Sequence, residues 1–271
     1  MTVPHLTSRA WSLLIGMLVL LSAGCAPTDA GEPLTDRTFE TFTAHGESSQ
    51  YHLFAEGLSD DTPLGLVLYF HGDGAEEFDH PDDPDCLGGP DGVVSVARER
   101  GFVTVAVRTP DTDTLTWWES GATNSEYVAA LVERITNQYR IDPHRVWLVG
   151  YSGGAQFITQ HYLPTRSDTI SGGGAVLFGG GGRPDNVDED PYADALKQHF
   201  DMFWYTGADD DGTDSTDGYD ALGDPVHGAR AGLAHYAGLG FRTGHEWPAD
   251  TGHDLSGRFG PVLASRLDAA G

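Results

Sequence analysis

Gly150-Tyr151-Ser152-Gly153-Gly154 follows the apolar run Arg145-Val146-Trp147-Leu148-Val149 and precedes residues 155–162, which read as a helix. A serine between a strand end and a helix start has to sit on a very sharp turn. Small neighbours are needed there because the backbone passes close to itself and takes unusual dihedrals. Such a turn lifts the hydroxyl clear of the sheet and aims the next amide N–H at the same spot. The order strand, G-x-S-x-G, helix is what gives the short pattern a chemical meaning. A glycine-rich connection without chemistry has the same local look, so a base, an acid and an oxyanion site must be sought elsewhere in the chain.

Outward from this turn, strands and helices alternate. Residues 64–70 (Leu-Gly-Leu-Val-Leu-Tyr-Phe), 102–107, 173–178, 201–206 and 241–247 are apolar or strand-like runs suited to a buried sheet. Helical stretches are expected at 93–100, 123–139, 225–239 and 254–267. Thr123 and Glu126 have the spacing of a capping box, and Val128, Leu131, Val132, Ile135 and Tyr139 share one helical face. Residues 38–44 and 50–55 read as an antiparallel edge hairpin with its turn at 46–49. The pattern predicts an α/β fold with a mostly parallel central sheet covered on both faces. No internal repeat or composition shift marks a second folded domain.

Composition narrows the partners. There are 15 basic and 41 acidic residues, a net charge of −26. That surface repels nucleic acid and anionic lipid. Residues 1–25 carry Arg9, an apolar stretch too short to span a bilayer, and Leu21-Ser22-Ala23-Gly24-Cys25. This resembles a bacterial lipoprotein signal with Cys25 as the lipidated residue, so membrane attachment is expected only through an N-terminal lipid anchor, in the cell envelope. An ordinary secretory signal cleaved nearby is the alternative, and both imply export. Residues 26–37 read as a flexible tether and 38–271 as the folded domain. Cys86 is then the one thiol in that domain, an inert one on this reading, and has no partner for an internal bridge. The acidic loop at 76–91 is broken by prolines and has no calcium-loop spacing, so no metal is assigned.

Acyl transfer by serine needs a nucleophile, a base, a group that orients the base and donors for the oxyanion. Ser152 is the nucleophile. His253, in the loop beyond the last strand, is the base in preference to His245, within that strand, and His227, at a helix start. The acid belongs on the loop after residues 201–206, where Asp209, Asp210 and Asp211 all qualify by position. The order Ser, Asp, His along the chain fits one scaffold among the known triads. The backbone N–H groups of Gly153 and of Asp73, in His71-Gly72-Asp73-Gly74, are the candidate oxyanion donors. The Asp73 carboxylate would hinder catalysis unless it points away, and His71 suits a bracing role better than proton transfer. Trp117, Trp118 and Tyr151 are candidates for substrate contact, with plain packing equally open to the two tryptophans.

These residues together resemble the α/β-hydrolase superfamily. Residues 124–154, with Arg140-Ile141-Asp142-Pro143-His144-Arg145-Val146 ahead of the serine, are similar to secreted polyhydroxybutyrate depolymerases and feruloyl esterases. The resemblance implies a cofactor-independent carboxylic ester hydrolase. It implies Asp210 as the acid, through a Gly-x-x-Asp spacing from Gly207. The short interval between residues 178 and 201 leaves no room for a large lid, so an open site is expected for short acyl or polymer-linked esters. Two other outcomes stay open: a peptidase on the same scaffold, and a lipoprotein that keeps the fold as a binding or structural module.

Overall fold

The computed structural model describes Met1 and residues 33–185, 190–213 and 218–270. The signal segment and Cys25 lie outside the described residues. The chain divides into residues 1–30 and 31–271, and all the elements below belong to the second unit.

Eight strands form one sheet: β1 Arg37–Ala44, β2 Glu47–Phe54, β3 Leu64–Phe70, β4 Phe102–Val107, β5 Ile141–Tyr151, β6 Gly173–Phe178, β7 Phe200–Tyr205 and β8 Arg242–Glu246. Their spatial order is β1-β2-β4-β3-β5-β6-β7-β8. The β1–β2 and β2–β4 pairs are antiparallel and all later pairs are parallel. Helices α1 Glu76–Asp79, α2 Val93–Arg98, α3 Gly121–Gln138, α4 Gly153–Gln156, α5 Leu163–Arg166, α6 Asp194–His199, α7 Ala229–Gly238 and α8 Phe259–Ala270 connect and cover the strands. Residues Phe157–Tyr162 join α4 to α5 as a π-helical segment, so the helix expected at 155–162 is continuous but widened.

Every residue of β3 and β4 is buried, as a sheet with two covered faces requires. The period-two alternation of strands divides the core. Leu66, Leu68 and Phe70 of β3 join the layer of Tyr127, Leu131, Phe157 and Tyr236, from α3, the π-helical segment and α7. Val67 and Tyr69 join Phe78, Val93, Phe259 and Leu263, from α1, α2 and α8. Cys86 lies in this second layer, its Sγ 3.1 Å from the Tyr69 hydroxyl, and burial pushes the thiol well above its ordinary range.

Several local expectations are corrected. The hairpin turn is shorter than 46–49: His45 and Gly46 both have positive φ, 54° and 90°, the conformation of a two-residue turn matched to strand twist. Residues 47–49 therefore belong to β2. The tether ends before residue 37, since Leu34 packs on the core and Asp36 Oδ1 accepts the amides of Ala55 and Glu56. Helix α3 begins at Gly121, two residues before Thr123, with no side-chain cap hydrogen bond, so the capping box does not form. Helix α7 starts at Ala229 because residues 224–228 are held as turns by Asp224, which accepts the amides of Val226 and His227.

Candidate active site

Parallel strands deliver their connecting loops to one edge of the sheet. Residues following β3, β5, β7 and β8 consequently meet there, however far apart they are in sequence. Tyr151 pairs with Phe178 at the ends of β5 and β6, and the Ser152 amide donates to the Phe178 carbonyl at 2.9 Å. The chain then reverses into α4. Ser152 takes φ 50° and ψ −115°, a strained conformation costing about 1–3 kcal/mol for a residue with a side chain. The flanking glycines are steric requirements. A Cβ on Gly150 would lie 2.6 Å from the Gly154 backbone, and one on Gly154 would lie 2.3 Å from the Phe70 carbonyl oxygen.

His253 Nε2 lies 3.0 Å from Ser152 Oγ, and His253 Nδ1 lies 2.9 Å from Asp210 Oδ2. A carboxylate only accepts, so Nδ1 carries the proton and Nε2 presents its lone pair to the serine hydroxyl. The Asp210 side chain is 1 % exposed and that of His253 19 %. Asp209 and Asp211 are exposed, and Asp211 instead caps its own turn. Its carboxyl is held below the usual range by the hydroxyl and amide of Thr213. The loops carrying Asp210 and His253 are tied together by backbone: the Ala208 amide donates to the Pro248 carbonyl and that of Asp209 to the Thr251 carbonyl, each at 2.9 Å. A Cβ on Gly207 would fall 2.1 Å from the Thr251 oxygen. The Tyr151 hydroxyl donates to the His253 carbonyl at 2.9 Å, so Tyr151 steadies the loop that carries this imidazole. His245 stacks on Trp247, and His227 Nδ1 faces Gln160; neither contacts Ser152.

Opposite the imidazole stands the loop after β3. His71 is fully buried. Its Nε2 accepts the Thr109 amide at 3.0 Å, and its Nδ1 donates to the Gly72 carbonyl at 2.6 Å, so it braces the loop. Desolvation lowers its pKa to about 4 and keeps the imidazole neutral. The Gly72 amide donates to Glu77 Oε2 at 2.9 Å, and burial raises the Glu77 carboxyl above the ordinary range. The amides of Gly74 and Ala75 donate to Leu115 and Gly72 carbonyls.

The Asp73 carboxylate packs against Gly153. A Cβ on Gly153 would lie 2.0 Å from its Oδ1, and its Oδ2 accepts the Trp118 indole N–H at 3.0 Å. The two tryptophans part company. Trp118 is 39 % exposed at the mouth of a cleft of about 430 Å³ that also holds Gln156 and Gln160. Trp117 is fully buried, stacked on Phe157 and edge-on to Phe70. It is a core residue that no substrate reaches, which corrects its assignment to substrate contact. Sequence reasoning missed Glu77 and Tyr219, whose ring stands edge-on to His253. Neither belongs to a motif, and only tertiary packing brings them to the site. Among the described residues no group of three or more potential metal ligands is gathered.

No protein-family model matches the chain, and no curated protein matches it. Solved structures do. A carboxylesterase of Bacillus cereus superposes with a TM-score of 0.58 at 15 % identity, over 82 % of this chain and 94 % of its own. A lidless α/β serine hydrolase from Xanthomonas campestris gives 0.51 at 14 % identity, over 88 % and 94 %. A thermostable esterase gives 0.53 at 18 % identity, covering 85 % of this chain, which spans 59 % of that esterase's length. With this strand order and these neighbours, the chain has the α/β-hydrolase fold, without a large lid among the described residues.

Proposed function

We propose that this chain is an exported serine hydrolase that cleaves carboxylic esters through an acyl-enzyme. The observation that carries the reading is the bridge made by His253, 3.0 Å from Ser152 Oγ and 2.9 Å from Asp210 Oδ2. His253 Nε2 takes the hydroxyl proton as Ser152 Oγ attacks the ester carbonyl carbon. Asp210 holds the imidazole's tautomer and stabilises the imidazolium without itself being protonated. The oxyanion forms beside the turn, where the amide of Gly153 and that of Asp73 are the proposed donors. Losing one such donor costs roughly 100- to 1000-fold in rate. Collapse of the tetrahedral species expels the alcohol, which takes its proton from His253. Water then attacks the acyl-enzyme with His253 again as base, and the acid leaves.

The open edge of the sheet suits short acyl esters or ester groups on a polymer. The likeness of residues 124–154 to polyhydroxybutyrate depolymerases and feruloyl esterases supports the same substrate range. The direct test is hydrolysis of p-nitrophenyl acetate by the wild type beside Ser152→Ala. The variant is expected to lose on the order of a million-fold in kcat; equal rates would end the proposal. Export and lipidation at Cys25 are part of the same reading, and Cys25→Ala should shift the protein from membrane to soluble fractions.

A further inference from the structure

We infer that Glu77 is a positioning residue of the hydrolase: its carboxylate, through the Gly72 amide, holds the loop after β3 closed on the turn that carries Ser152. The inference deepens the serine-hydrolase reading and rests on it.

The loop touches both neighbours of Ser152. A Cβ on Gly72 would lie 2.9 Å from Tyr151 Cδ1, and one on Gly153 would lie 2.0 Å from Asp73 Oδ1. Tyr151 in turn reaches the loop of His253, its hydroxyl donating to the His253 carbonyl at 2.9 Å. A displacement of residues 72 and 73 is therefore felt at the serine turn and at the imidazole together. The loop is not relaxed backbone. Gly74 and Ala75 both have positive φ, 92° and 64°; for alanine that conformation is strained and persists only where its surroundings enforce it. Ser152 carries the same kind of strain at φ 50°. Two strained segments in contact need ties from outside.

Glu77 supplies one such tie. It lies in the first turn of α1, and its Oε2 accepts the Gly72 amide at 2.9 Å. A Cβ on Gly72 would stand 3.6 Å from the same oxygen, so the carboxylate and the Tyr151 ring press on that glycine together. An ionised acceptor makes such a bond about twice as strong as a neutral one. A tie that served the fold alone would do better with a neutral side chain. Burial pushes the Glu77 carboxyl above its ordinary range, and among the described residues no cation pairs with it. Its charge therefore costs folding stability. A carboxylate that stability disfavours, set against the nucleophile turn, fits a residue kept for activity.

Two variants separate the bond from the charge. Glu77→Gln keeps an oxygen at the right reach and removes the charge. Glu77→Asp keeps the charge and draws it back by one methylene. The measurements are kcat and KM for p-nitrophenyl acetate and the inhibition constant of a trifluoromethyl ketone, to whose carbonyl carbon Ser152 Oγ adds to leave an oxyanion. Urea unfolding checks that each variant is folded. Glu77→Asp is expected to lose at least about tenfold in kcat with little change in KM, and the ketone should bind more weakly in parallel. Glu77→Gln should stay within about threefold of wild type on both counts. Unchanged kcat in Glu77→Asp, or a loss in Glu77→Gln as large as in Glu77→Asp, overturns the inference. Glu77→Leu, which buries no charge and offers no acceptor, takes the place of the aspartate variant if that one does not fold, with the same expectation. Ser152→Ala separates the two readings: hydrolysis that survives it sinks the serine mechanism, whereas Ser152-dependent hydrolysis indifferent to residue 77 sinks only the role of Glu77.

Discussion

The two sides of the Ser152 hydroxyl are built by different means. On the imidazole side, backbone topology does the placing. Three loops leave the same sheet edge, and main-chain hydrogen bonds from Ala208 and Asp209 lock the acid loop to the base loop. On the side proposed for the oxyanion, side chains do the placing: His71 and Glu77 accept backbone amides of Thr109 and Gly72, and Trp118 holds the Asp73 carboxylate. The difference teaches where function is rigid and where it can be tuned. A strand order leaves little freedom to the first side, whereas single substitutions can reset the second.

The largest expected effects fall on the imidazole side. Asp210→Asn should lower kcat by about ten-thousand-fold through the wrong tautomer of His253. Asp209→Asn and Asp211→Asn, at exposed positions, should stay near wild type. Steady-state kinetics of the three variants checks this, and equal losses would remove the distinction drawn from burial.

Next come the glycines that join the two sides. Gly154→Ala puts a methyl group against the Phe70 carbonyl, which is backbone and cannot turn aside. A loss of about 2–4 kcal/mol in urea unfolding is expected. Gly153→Ala meets the Asp73 side chain first, which can turn aside, so it should cost less stability.

His71 probes the brace itself. Its native pKa, about 4, lies below the ordinary histidine value of 6.5 because burial disfavours the charged form. The unfolded chain therefore takes up a proton first as pH falls. Stability is full above pH 6.5 and drains away between 6.5 and about 4, by on the order of 3 kcal/mol from this group. Unfolding curves across that window should show the slope in wild type and a shallower one in His71→Gln.

Glu77 carries the smallest effect and the opposite sign. Desolvation raises its carboxyl, so its contribution is greatest below the unfolded value and is lost as pH rises through the native one. Glu77→Gln keeps an oxygen for the Gly72 amide. It should be more stable than wild type, with the gain growing as pH rises above the ordinary glutamate range.

Legibility in the sequence follows the same divide. Buried parallel strands have continuous apolar runs, and their order fixes which loops meet, so Ser152, His253 and the aspartate loop could be read before any coordinates. Which aspartate faces inward depends on how that loop packs on residues 248–251, a contact between segments some forty residues apart. Trp117 and Trp118 are adjacent and chemically identical, yet one fills the core beside Phe157 and the other meets solvent. Spacing carries no information on that choice. Thr123 and Glu126 have capping-box spacing, but the helix starts earlier at Gly121 because tertiary packing outweighs a local cap worth about 1 kcal/mol. The direction of the Asp73 side chain was likewise out of reach, since the indole that holds it comes from forty-five residues away.

The central claim is that Ser152 is a nucleophile activated by His253. Intact-mass and peptide-mapping analysis after treatment with a fluorophosphonate tests it most directly. One adduct on Ser152 is expected in the wild type, and its formation should fail in folded His253→Ala. A folded wild type that takes no label, or takes it on another residue, would contradict the claim.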